Sequence, residues 1–192
     1  MHPHRLVGLG LIGVFALTGC AGSITPVTVP SATPDRDVQV STTFGTDGGT
    51  ALTYDPELVP VGARGAVSAQ TGDAGTTVTL AVRGLAPERP YGAHVHTQPC
   101  GPTGDVAGPH FQHEVDPVQP SVDPAFANPG NEIWLDITTD AAGAGTATAT
   151  VPWAFDRDRR AQSVIIHAMP TATGPGEAGT AGARAACISV EF

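Results

Sequence analysis

From about residue 38 to the end of the chain, apolar and polar residues alternate in short stretches separated by Gly, Pro, Asn and Asp, and no stretch keeps a helical period over a dozen positions. The pattern predicts strands over residues 38–44, 63–70, 76–83, 91–96, 132–138, 146–152, 163–167 and 186–192. Residues 71–75 and 140–145 are rich in Gly, Asp and Ala and read as hairpin turns between strands. About eight antiparallel strands joined by short turns imply an all-β domain, either a sandwich or a flattened barrel. Two Pro- and Gly-rich segments, 97–130 and 169–184, interrupt this rhythm. Long loops on a rigid β scaffold are where function is usually carried.

Ahead of these strands the pattern changes. His2, His4 and Arg5 precede an apolar run from Leu6 to Leu17, too short to span a bilayer, which reads as a signal peptide over residues 1–19. The run ends in Leu17-Thr18-Gly19-Cys20, which resembles the bacterial lipobox, where cleavage precedes an acylated cysteine. Simple cleavage leaving Cys20 as a free thiol is the alternative. The lipoprotein reading places the mature protein outside the cytoplasm, held to the outer face of the membrane by lipid on Cys20. Residues 20–37 then form a Pro/Ser/Thr tether, and 38–192 the folded domain.

Composition narrows the partners. The net charge is -9, and all nine basic residues are arginine, so nucleic acid is not an expected ligand. Cysteine count fits an oxidising compartment: with Cys20 assigned to lipid, Cys100 and Cys187 remain as a pair able to form one disulfide, two buried free thiols being the alternative. Nothing separates a monomer from a homodimer joined through an exposed strand.

Five histidines fall in the domain: His94, His96, His110, His113 and His167. Side chains two apart on a strand share a face, so His94 and His96 can converge on one ion. His110 stands in a Gly-Pro-His-Phe turn, and His167 ends the apolar run Val164-Ile165-Ile166. Imidazoles without thiolate suit copper, zinc or nickel, and four nitrogens in a tetragonal array favour copper.

The ordered blocks Gly92-Ala93-His94-Val95-His96, Cys100, Gly108-Pro109-His110-Phe111, Val164-Ile165-Ile166-His167 and Gly182-Ala183-Arg184-Ala185-Ala186-Cys187 resemble the copper/zinc superoxide dismutase family. Gly84-Leu85-Ala86-Pro87 is similar to the turn leading into that family's first histidine pair. The resemblance implies a Greek-key β-sandwich, copper held by His94, His96, His110 and His167, a Cys100–Cys187 disulfide, and Arg184 beside the open copper position. It also implies superoxide as substrate, with Arg184 and His110 as the catalytic residues.

The zinc half of the family pattern is not found. After His110 the chain reads Gln112-His113-Glu114-Val115-Asp116 and then has no histidine before His167; Asn131-Glu132-Ile133 stands where a Gly-Asp-Leu motif is expected, and Thr171 where the family has an Asp linking its two metal sites. A copper-only member is therefore the expectation. Glu132 is read either as a hydrogen-bond partner of His110 in zinc's place or as a surface carboxylate. His113 is read as a neighbour of the metal ligands, as a weak alternative ligand together with Asp116, or as a solvated loop residue. Trp134, Trp153, Phe155 and Phe192 are read as packing residues. A copper-binding lipoprotein that buffers the metal without turnover is the alternative function, and it has no need of Arg184.

Overall fold

A computed structural model describes residues 36–192. The expected signal segment, Cys20 and most of the tether lie outside the described residues. Among the described residues ten strands form in chain order: β1 (Arg36–Thr43), β2 (Ala51–Thr53), β3 (Arg64–Gly72), β4 (Gly75–Arg83), β5 (Pro90–Tyr91), β6 (Ala93–His96), β7 (Ile137–Thr138), β8 (Gly145–Val151), β9 (Ser163–His167) and β10 (Arg184–Ser189). One sheet has the order β1-β3-β4-β8, a second β2-β10-β9-β6, and β5 pairs with β7 beside them. All strand pairings are antiparallel. The two large sheets stay separate, so the sandwich form of the expected fold is the one adopted.

The first sheet shows the alternation seen in the sequence. Val67, Ala69, Val78, Leu80 and Val82 point inward and are almost wholly buried. The opposite face carries paired hydroxyls, Thr77 with Thr150 at 3.0 Å and Thr79 with Thr148 at 2.8 Å. The second sheet differs, because β6 and β9 are buried on both faces. Ala93, Val95, Val164, Ile166, Ala186 and Ile188 belong to the core between the sheets. His94, His96, Ile165, His167 and Cys187 alternate with them and project from the outer face, which the two long loops cover.

Under the first loop, Ile165, Cys187 and Ala107 make a small second cluster against Tyr54 and Cys100. The disulfide expected between Cys100 and Cys187 is formed, with S–S 2.04 Å, and the free-thiol alternative is excluded. It closes a loop across 87 positions. In the chain-entropy model that is worth roughly 4 to 5 kcal/mol.

Three details depart from the expected strands. Ala51–Thr53 forms a strand that the pattern missed, since three residues are too few to show a period. Residues 132–138 do not form one strand: Ile137–Thr138 pairs with β5, while Val95 N donates to Ile133 O and Leu135 N to Ala93 O with no regular ladder between. The expected strand 91–96 breaks at Gly92, whose N–H donates to Met169 O of the second long loop. A Cβ at Gly92 would sit 2.6 Å from the Ala181 side chain, so the loop reaches this close only over a glycine.

Candidate metal centre

The register of the second sheet assembles the site. β6 runs beside β9, which brings His94 opposite Ile165 and His96 opposite Ser163. Arg184 pairs with His167 across β9 and β10, at a register shift before Ala186. His110 reaches the group through an isolated bridge to His96. One ring nitrogen from each of His94, His96, His110 and His167 lies within 4.8 Å of the others. All four predicted ligands are therefore brought together.

Each ring spends its other nitrogen on a fixed partner. His96 Nδ1–H donates to Gly108 O at 2.9 Å, His167 Nδ1–H to Gly182 O at 3.3 Å, and His110 Nδ1–H to Glu132 Oε2 at 2.7 Å. His94 Nε2 lies 2.7 Å from Thr171 Oγ1. Three of the remaining nitrogens, His94 Nδ1, His96 Nε2 and His167 Nε2, are buried without any hydrogen-bond partner. Buried polar atoms are normally satisfied, because leaving one unpaired costs the full desolvation penalty. Several such atoms converging on one point fit a metal ion that would accept all of their lone pairs.

Electrostatics favour the ligand form of these rings. Burial first, then the neighbouring His110, hold His94 and His96 well below the usual histidine range. His167 is lowered to about 3 by the same two causes in the same order. Neutral imidazole is the metal-binding form, so near pH 7 no proton competes for these nitrogens.

A cleft of about 660 Å³ opens from His110 and His167 to the surface, and Arg184 lines it. The guanidinium is half-buried and donates to Gly104 O at 2.7 Å. Burial lowers its pKa, an effect opposed by Asp105 and Tyr54, while its own charge contributes to the depression at His94, His96 and His167. Arg184 thus stands beside the histidines, in the wall of the cleft that leads to them.

The copper/zinc superoxide dismutase (SODC) family model matches residues 63–190. The chain belongs to that family. No curated protein matches the chain in sequence. Among solved structures, the Cu/Zn superoxide dismutase from Brucella abortus is similar at a TM-score of 0.55 and 19% identity, over 82% of this chain and 100% of that one. Two mutants of a SOD-like protein from Bacillus subtilis are also similar, each at 20% identity. Their TM-scores are 0.52 over 67% of this chain and 89% of that one, and 0.53 over 75% and 99%. At such identities these structures establish the shared β-sandwich alone.

The superoxide dismutase fold here carries a distinctive surrounding for His110. Glu132 is 1% exposed, which rules out the surface-carboxylate reading. It accepts from His110 Nδ1, from Trp134 Nε1 at 2.7 Å and from Gln112 Nε2 at 2.8 Å. Trp134 is accordingly more than a packing residue: it anchors Glu132, and its ring stands edge-on to His94 at 5.8 Å. Among the described residues, no second group of three or more His, Cys, Asp or Glu is placed to hold a metal.

His113 does not join the site. Its ring stacks on Trp153 at 5.1 Å and 5°, and its backbone bonds to Asn131 and Arg159, so the reading of His113 as a neighbour of the metal ligands is corrected. Asp116 accepts from Ser121 Oγ and Val118 N, and is no partner of His113. Two further residues the sequence reading did not place are Gln112, which holds Glu132, and Asp136, which holds Thr171. Thr171, counted only as a missing Asp, contacts His94 directly. The signal that could have found Thr171 was its offset of four residues from His167, where any hydrogen-bonding side chain can reach back to the cluster.

Proposed function

We propose that this protein is a copper-only superoxide dismutase acting outside the cytoplasm, held to the membrane surface by lipid on Cys20. One observation carries the metal and its reaction: four imidazole nitrogens within 4.8 Å of one another, three of them buried and unpaired, beside a cleft lined by Arg184. Four nitrogen donors without thiolate or carboxylate favour copper over the other divalent metals. The capture of His110 Nδ1 by Glu132 supports one metal rather than two, since that nitrogen is no longer free for a second ion. The lipid anchor rests on the Leu17-Thr18-Gly19-Cys20 motif alone.

The reaction turns two superoxide ions and two protons into one dioxygen and one hydrogen peroxide. Copper would supply a centre that accepts one electron and then gives one back. Arg184 draws the anion into the cleft against the field of a chain of net charge -9. Gly108 O, Gly182 O and Glu132 hold three rings in one orientation and tautomer. By accepting the Nδ1–H bond, Glu132 fixes the His110 ring so that Nε2 is the nitrogen turned toward the other three histidines. In this reading Glu132 does for His110 what zinc does in two-metal relatives.

The test combines metal content with turnover per metal. Protein purified from metal-replete medium should carry about one copper per chain and no stoichiometric zinc, and should consume superoxide in the presence of a chelator that silences free copper. Tightly held copper without turnover would favour the buffering alternative. A full equivalent of zinc would overturn the copper-only reading.

A further inference from the structure

Asp136 has no place in the reaction described above, yet it joins three elements at the edge of the site. Its Oδ1 lies 2.6 Å from Thr171 Oγ1 and 3.2 Å from Ala93 N, and its Oδ2 accepts from Thr171 N at 2.9 Å. Thr171 Oγ1 in turn lies 2.7 Å from His94 Nε2. A hydroxyl has one proton, and a carboxylate can only accept. With Asp136 taking the Thr171 proton, Thr171 must accept from His94, so His94 carries its hydrogen on Nε2. That leaves Nδ1 as its free nitrogen, and Nδ1 is the atom found buried and unpaired. The other three rings are held the opposite way round, with Nδ1–H bonded and Nε2 free.

We infer that Asp136 and Thr171 are positioning residues that lock His94 in the Nε2–H tautomer and so present Nδ1 to the metal. The inference rests on the four histidines forming a metal site but not on the reaction carried out there. A hydroxyl by itself could donate to His94 or accept from it. The carboxylate removes that freedom, and because Asp136 also accepts from Ala93 N, next to His94 in β6, the lock is referred to the strand that bears the ring. The long loop enters the site through this contact, since Thr171 is one of its residues.

The inference is tested first without metal, by long-range proton–nitrogen NMR of the histidine rings in metal-free protein. The expected result is a single Nε2–H tautomer for His94 beside Nδ1–H tautomers for His96 and His167. An Nδ1–H tautomer for His94 in the unaltered protein overturns the inference with no variant needed. In Thr171→Val the signals of His94 alone should become those of a mixture, and Thr171→Ser should restore the single form. Copper affinity, from competition with a chelator, should fall about tenfold or more in Thr171→Val and recover in Thr171→Ser, in the range seen when a ligand's hydrogen-bond partner is removed. The copper EPR spectrum of Asp136→Asn should shift toward that of Thr171→Val. Equal changes at His94 and His167 would mean that the loop had simply loosened, and would overturn the lock. If the NMR result holds while no turnover is found, the proposed reaction fails and the positioning role stands.

Discussion

Removing the metal should make the fold sensitive to acid in a way that one residue can report. His167 is 4% exposed, and its pKa is lowered from 6.5 to about 3. Between these values the unfolded chain binds a proton at this position and the folded chain does not, so unfolding is favoured as pH falls. The full stability is present above about pH 6.5 and is lost progressively toward pH 3. At pH 4.5, two pH units below the reference value, the cost attributable to His167 is about 3 kcal/mol at about 1.36 kcal/mol per unit. His94 and His96 act in the same direction. The assay is urea unfolding of metal-free, disulfide-intact protein at pH 7.5 and 4.5, alongside His167→Gln. The comparison with the variant isolates the contribution of position 167 from other groups. The variant should lose about 3 kcal/mol less than the parent between the two pH values, a difference of about 1 to 2 M in urea midpoint for a domain of this size. Equal losses in the two proteins would show that His167 is protonated without cost in the folded state, and the burial reasoning would fail.

Other expectations concern the loaded protein. Arg184→Ala should lower kcat/KM and flatten its dependence on ionic strength while copper stays bound; unchanged values would remove its steering role. Glu132→Gln keeps the size of the side chain but weakens the acceptor for His110 Nδ1–H, and should lower copper affinity or kcat by about ten- to a hundredfold, read by chelator competition and pulse radiolysis. Normal values for both would mean that His110 needs no carboxylate. Gly179 has φ +78°, and a Cβ there would lie 3.2 Å from Ala127 and 3.6 Å from the His110 ring. Gly179→Val should therefore displace the loop from His110 and weaken copper binding, visible as an altered copper EPR spectrum, whereas an unaltered spectrum would show that the loop bends freely.

Much of the scaffold was legible because its physics is local. Inward-facing Val67, Ala69, Val78, Leu80 and Val82 alternate with exposed or partly exposed neighbours, and that period of two needs no knowledge of the partner strand. The placement of His94 and His96 on one face follows from the same geometry. Segment 132–138 was misread for a related reason: its apolar residues alternate correctly, but they pack beside β6 without regular pairing, while Glu132 turns toward His110 and Trp134 donates to Glu132. Alternation records which side is buried, not which hydrogen bonds are made.

The sequence by itself determined most of the alternating strands, the order and spacing of the four clustered histidines and the cysteine pair, because each is a matter of residue type and short spacing. Only the tertiary structure decided that Glu132 faces His110, that His113 stacks on Trp153, and that Asp136 reaches His94 through Thr171. Those contacts join segments up to 77 positions apart in sequence. Hydrogen bonds between such distant side chains depend on where the loops come to rest over the sheet, and no local pattern in a chain encodes that.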